Sequence, residues 1–163
     1  MPDTFTHIAL PSLFSRFIKS PLLLPVFLIG TVLPDYLREF LQLVLPVDYY
    51  SASFPFHTLV GVFFSSLLLT AFFVKEIRWS VFHSLLLGQV VHLLFDALQM
   101  HLCGGRLLLF FPLWKSIELP LFSESHWMYL FAFSLVSFIL YWVWNRKHPL
   151  KNRKTGQSAT HKL

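Results

Sequence analysis

The chain has 163 residues, of which 55% are hydrophobic and only 13% are charged, and its mean hydropathy is +0.61. Water-soluble domains usually carry about 25% charged residues, so this composition excludes a small soluble fold. It predicts one all-α domain that crosses a membrane several times. The net charge of +5 does not indicate nucleic-acid binding, because six of the thirteen basic residues lie from Arg146 onward in a tail without aromatic side chains.

The N-terminal part predicts a short helical hairpin. One apolar segment covers residues 5–19, and a second covers residues 22–33 and ends at Pro34-Asp35. Each is shorter than the about 20 residues that a full span needs, so the pair is expected to enter and return, which brings Asp35 to the level of His7. A single span over residues 22–45 is less favourable, because it places charged side chains in its middle.

The rest of the chain predicts one interfacial helix, three spans and a tail. Residues 36–45 have the spacing of an amphipathic helix that lies along a membrane surface, with Arg38 on its polar side. The three spans are predicted over residues 56–74, 80–102 and 127–144. The membrane domain is therefore expected to comprise residues 1–145, and residues 146–163 to form a basic, disordered tail.

The span over residues 80–102 contains polar groups that are costly in lipid. Gln89, His92, Asp96 and Gln99 share one helical face. An ionisable group at this depth costs roughly 2.5–3.5 kcal/mol on insertion scales. His92 and Asp96, one turn apart, can point at one metal ion, with the two glutamines as supporting hydrogen-bond partners. A buried His–Asp ion pair or a proton relay uses the same spacing, so this stretch leaves both interpretations open.

The predicted topology places ten of the thirteen basic residues on one side, which the positive-inside rule makes cytoplasmic. Basic residues and helix breakers alone define that topology. Five potential ligands then fall in one layer near the extracytoplasmic surface, namely His7, Asp35, His57, His92 and Asp96. Their agreement favours a metal site, and the alternative is that histidines at helix ends merely lie at the membrane interface.

Four motifs occur together in the chain, namely Thr6-His7, residues 31–35 (Thr-Val-Leu-Pro-Asp), Phe56-His57-Thr58, and Gly88 followed by residues 92–96. Their order and spacing resemble the bacterial membrane-bound metal-dependent hydrolases, small multi-pass proteins whose His/Asp pattern is similar to that of zinc-dependent phospholipase C and P1-type nucleases. The resemblance covers about two thirds of the chain and implies the same five ligands. Family members often carry an Asp where this chain has Leu37 and a His where it has Ser53, so one or two ions are expected.

Imidazole and carboxylate ligands without a thiolate suit a divalent metal, zinc above all. The predicted function is hydrolysis of a phosphoester or related bond in a lipid or other amphiphilic substrate, in the bacterial cytoplasmic membrane, with Asp35 or Asp96 as general base. A small proton-coupled transporter and a scaffold with a structural ion are the alternatives. Further candidates are His101, Glu124 and His126 as ligands, and Arg106 and Lys115 as substrate-binding cations.

Overall fold

The computed structural model describes residues 4–13, 18, 20, 23–46, 52, 55–98, 110 and 126–147, and the regular structure in these ranges is entirely helical. The predicted all-α class is therefore confirmed. The helices are α1 (Thr4–Ser12), α2 (Leu23–Gly30), α3 (Leu33–Val44), α4 (Leu59–Thr70), α5 (Lys75–Ala97) and α6 (Trp127–Lys147).

Two of the described helices are long and apolar enough to cross a membrane, namely α5 and residues 128–147 of α6. About half of α5 is buried in the protein, whereas the apolar surface of α6 is almost wholly exposed. The third predicted span, over residues 56–74, contains the twelve-residue helix α4, which is too short to pass the same test. That the chain crosses a membrane several times therefore remains a prediction.

Helix α5 begins at Lys75 and not at Ser80, so the predicted charged turn is the first turn of this helix. Glu76 lies in that first turn, where a carboxylate interacts favourably with the helix N-terminus. The side chain of Arg78 donates hydrogen bonds back to the carbonyl oxygen atoms of Phe73 and Ala71. These bonds hold the short connection between α4 and α5.

The connection between α2 and α3 also differs from the prediction. Helix α2 ends at Gly30 and α3 begins at Leu33, so Pro34 and Asp35 lie in the first turn of α3 and do not terminate the preceding segment. Proline is tolerated in a first turn because the N–H group that it lacks has no helical partner there. This early start places Asp35 on the inward side of α3.

Arg38 and several apolar side chains of α3 lie opposite to where a water-soluble amphipathic helix would place them. Arg38, predicted on the outward polar side, is only 3% exposed. The apolar side chains of Tyr36, Phe40, Leu43 and Val44 are exposed instead. Arg38 turns inward because Asp35, one turn earlier, pairs with it.

Helices α2 and α5 pack closely because glycines meet where they cross. A Cβ atom on Gly30 would lie 2.7 Å from the carbonyl oxygen of Leu85, and one on Gly88 would lie 2.9 Å from the Cα of Gly30. Both distances are below ordinary van der Waals contact. The absence of side chains at Gly30 and Gly88 therefore sets the distance between the two helices.

Candidate metal centre

The structure brings together all five side chains that were predicted as ligands. His7 comes from α1, Asp35 from α3, His57 from the turn before α4, and His92 and Asp96 from α5. They form two overlapping groups, His7–His92–Asp96 and Asp35–His57–His92. Within each group the potential ligand atoms lie within 4.8 Å of one another, so each group can hold a metal ion.

The separations between these atoms match the spacing of ligands around an ion. The Nε2 atom of His57 lies 3.5 Å from Asp35 Oδ1, 3.5 Å from Asp96 Oδ2 and 3.4 Å from His92 Nε2. His7 Nε2 lies 3.6 Å from Asp96 Oδ1. Ligands about 2.1 Å from a tetrahedral ion lie about 3.4 Å apart, whereas a direct charge-assisted N–H···O bond is about 2.7–2.9 Å long.

His92 is oriented by a hydrogen bond from outside the cluster. Its Nδ1 atom lies 2.9 Å from the carbonyl oxygen of Thr31, and since a carbonyl only accepts, Nδ1 must carry the proton. In the neutral imidazole the lone pair is then on Nε2, which lies 3.0 Å from Asp96 Oδ2. A proton or a cation must lie between these two atoms. An Nδ1–H bond to a backbone carbonyl is the usual support of a metal-binding histidine.

The turn before α4 positions His57. The side chain of Thr58 caps this helix by accepting a hydrogen bond from the backbone N–H of Gly61 at 3.0 Å. A Cβ atom on Gly61 would collide with the carbonyl oxygen of Pro55, so the turn requires glycine at this position. The cap and the glycine together hold the residues on both sides of His57, which is buried.

His7 and Asp35 occupy the part of the cluster outside α5. Both ring nitrogen atoms of His7 are buried and have no hydrogen-bond partner among the described residues. Burial, followed by the charge of His92, lowers the pKa of His7 from 6.5 to about 4, so this imidazole is neutral at pH 7. Burial opposes ionisation of Asp35, but the neighbouring imidazole of His57 and nearby positive charges outweigh it and hold its pKa below the usual value.

Arg38 is a residue of this site that the sequence interpretation missed. Its Nη1 atom lies 2.9 Å from Asp35 Oδ1, and its Nη2 atom lies 3.4 Å from the Oε1 atom of Glu39, which is largely exposed. The guanidinium therefore connects the cluster to the surface. The Asp–Arg spacing of three residues was the available signal, because these positions are neighbours on a helix.

Gln89 is buried as expected, but it does not support the metal ligands. Its Oε1 atom accepts a hydrogen bond from Ser65, and its Nε2 atom donates one to Ser66. The predicted role of Gln89 beside His92 is therefore wrong, since its amide joins α5 to α4. The amide turns toward α4 because two adjacent serines satisfy both of its ends.

Most of the other candidates fall where the structure gives no description. Gln99, His101, Arg106, Lys115 and Glu124 lie outside the described residues. His126 is exposed near Tyr129 at the start of α6 and belongs to neither group. The described part of the site thus consists of the five predicted side chains and Arg38.

Comparisons with known proteins identify no relative. No family model matches the chain, and neither the curated proteins nor the solved structures include a match. The family resemblance stays a prediction from the motifs. The geometry of the His/Asp cluster is therefore the basis for assigning a function.

Proposed function

We propose that this protein is a membrane-embedded metal-dependent hydrolase that cleaves a phosphoester or related bond in a lipid or other amphiphilic molecule. The observation that carries the proposal is the convergence of three imidazoles and two carboxylates, from four different parts of the chain, at separations of 3.0–3.6 Å. One of these contacts, His92 Nε2 to Asp96 Oδ2 at 3.0 Å, has the length of a direct hydrogen bond. The others, at 3.4–3.6 Å, are longer than the about 2.7–2.9 Å of a charge-assisted N–H···O bond, which favours a shared ion over simple ion pairs.

The donor set fits a divalent ion of the zinc type, since it combines nitrogen and oxygen ligands without sulfur. When bound, such an ion supplies Lewis acidity and makes water acidic enough to be a nucleophile near neutral pH. Asp96 contacts histidines through both of its oxygen atoms, which suits a carboxylate that holds one ion or bridges two. The shared position of His92 in both groups also agrees with one or two ions.

Asp35 is the better candidate for a general base. Its side chain is 13% exposed, whereas that of Asp96 is 2% exposed, so Asp35 is the more accessible of the two to a substrate or water. Arg38 and His57 on either side favour its ionised form, in which one carboxylate oxygen would help to hold the ion and the other would accept a proton. His92 and His7 then serve to hold the ion, since their Nε2 atoms point toward Asp96.

A lipid environment explains how burial is distributed over the described residues. Thirteen of the buried side chains are polar or charged and ten are hydrophobic, while many large apolar side chains are exposed on α3, α4 and α6. Exposed apolar surface of this extent is typical of contact with lipid. We place the protein in a bacterial cytoplasmic membrane with its basic tail in the cytoplasm and the His/Asp cluster toward the opposite side. Reporter fusions to the C-terminus test that orientation.

The first experiment measures metal in protein purified in a mild detergent without added chelator. We expect one or two ions per chain by mass spectrometry of the element, and reduced content in H92A and D96A. H83A is the matched control, because His83 is exposed on the same helix and bonds only locally to the Trp79 carbonyl among its described contacts. Wild-type protein without bound metal would contradict the proposal.

The second experiment tests turnover. Phospholipids and model phosphodiesters are incubated with the purified protein, with and without a chelator, and we expect metal-dependent hydrolysis of at least one of them. If metal raises the stability of the fold but no substrate is hydrolysed, the scaffold interpretation is favoured. Full metal content in both H92A and D96A, with loss of a proton flux in vesicles, would favour the transporter.

A further inference from the structure

We propose that Arg38 is the residue that holds an anionic phosphoryl oxygen of the substrate beside the metal centre. This inference rests on the proposed hydrolase function and specifies its substrate class. It starts from the position of Arg38, whose side chain is 3% exposed and reaches the cluster through Asp35. Buried arginines are costly and need compensating anions, which Asp35 and Glu39 supply here.

Distance places the guanidinium within reach of a group that also contacts the ion. Nη1 of Arg38 lies 2.9 Å from Oδ1 of Asp35, and the same oxygen lies 3.5 Å from Nε2 of His57, another member of the Asp35–His57–His92 group. With a metal–oxygen distance of about 2.1 Å, the ion and Nη1 are at most about 5 Å apart. A phosphoryl group that shares one oxygen with the ion can therefore place another on the guanidinium.

Charge makes the same position selective for anions. An ion held by Asp35 would withdraw negative charge from that carboxylate, which would weaken the interaction of the carboxylate with Arg38. The guanidinium and a divalent ion then form two adjacent positive centres. Arginine suits this task, because its planar fork donates paired hydrogen bonds to phosphate oxygen atoms.

The surroundings of Arg38 offer an approach for the ligand. Its Nη2 atom lies 3.4 Å from Oε1 of Glu39, a side chain that is 63% exposed, so the buried guanidinium is connected to the surface through Glu39. At this length the contact is a weak one, and movement of the exposed Glu39 side chain would open the guanidinium to a ligand. The neighbouring exposed side chains of Tyr36 and Phe40 are aromatic, which suits the apolar part of a lipid that carries the phosphoryl group.

The test is titration of zinc-loaded protein with inorganic phosphate in a neutral detergent, by isothermal calorimetry. A second arm uses mixed micelles of phosphatidic acid in phosphatidylcholine. If the protein binds phosphatidic acid more tightly than inorganic phosphate, the phosphoryl group that Arg38 binds belongs to a lipid headgroup. We expect R38Q to keep its zinc and to bind both probes about tenfold more weakly, since a charge-assisted hydrogen bond is lost. R78Q, which changes an exposed arginine on α5, is expected to bind as the wild type does.

Two further variants keep the proposal open to refutation if R38Q does not fold. R38K preserves the charge but loses the fork and should weaken phosphate binding, whereas E39Q removes a competing carboxylate and should strengthen it. Unchanged phosphate affinity in R38Q, or in both R38K and E39Q, overturns the proposal. If phosphate affinity is unchanged in these variants while the wild type binds zinc and hydrolyses a substrate, the role of Arg38 is refuted and the hydrolase function stands. If the wild type binds no metal but still binds phosphate through Arg38, the hydrolase function alone is contradicted.

Discussion

The crossing of α2 and α5 offers a test of how the fold supports the candidate metal centre. In G88A the new Cβ atom would lie 2.9 Å from the Cα of Gly30, and closer still to the carbonyl oxygen of Phe27. Carbon atoms pack at about 3.5–4.0 Å, so the two helices must separate by at least about 0.6 Å. Overpacking of this kind costs about 1–3 kcal/mol of stability.

The separation also affects His92. Thr31 directly follows α2, and its carbonyl oxygen lies 2.9 Å from Nδ1 of His92 on α5. A shift of about 0.6 Å lengthens this distance to about 3.5 Å, beyond the usual limit for an N–H···O bond. Loss of such a supporting bond reduces metal affinity by about 10–100-fold.

The assay has two readouts, thermal unfolding in detergent and zinc affinity by competition with a chelator. L87A is the control, because Leu87 is the neighbouring residue on α5 and is 52% exposed. G30A should behave as G88A does, since its Cβ atom would lie 2.7 Å from the carbonyl oxygen of Leu85. Wild-type stability and zinc affinity in G88A would refute the reasoning, and lowered stability with unchanged affinity would refute the link to His92.

Three further predictions concern single side chains. T58A removes the cap of α4 and should lower the free energy of unfolding by about 0.5–2 kcal/mol, measured by denaturant titration, and a variant as stable as the wild type would exclude the cap. Q89L should cost about 1–3 kcal/mol, because Ser65 and Ser66 lose their buried partner, but it should leave zinc content unchanged. Reduced zinc affinity in Q89L would restore the supporting role first predicted for this residue. The pKa of His7 is 6.5 in the unfolded chain and about 4 in the folded, metal-free protein, so the unfolded chain takes up a proton at higher pH than the folded protein does. The free energy of unfolding should therefore decline as the pH falls from 6.5 to 4. Unfolding midpoints at pH 7 and 4.5 check this, and an H7Q variant with the same pH dependence would argue against it.

Arg38 shows what an inward-facing charge implies about the surroundings of the helix. Residues 36–45 were predicted as an amphipathic helix along a membrane surface, with Arg38 on its polar side. In the structure the guanidinium faces Asp35, while Phe40 and Leu43 are exposed. This arrangement is favourable where the surroundings are apolar, because only the protein interior then offers the charge a partner.

The amino-acid sequence alone determined the helical class and the identity of the five side chains in the cluster. The helical class follows from the composition and the lengths of the apolar segments, which are local properties. The cluster could be predicted because ionisable groups in apolar segments need a partner, and few such groups exist in this chain. His92 and Asp96 could be recognised from their spacing on one helix.

The tertiary structure alone decided which partners the remaining polar groups take and how closely the helices approach. Gln89 and His92 share a face of α5, yet Gln89 bonds to α4 and His92 to the carbonyl of Thr31. Helical spacing shows that two residues share a face, but the neighbour opposite each one depends on how the helices cross. At the crossing of α2 and α5, that geometry is set by the contact of Gly30 with Gly88.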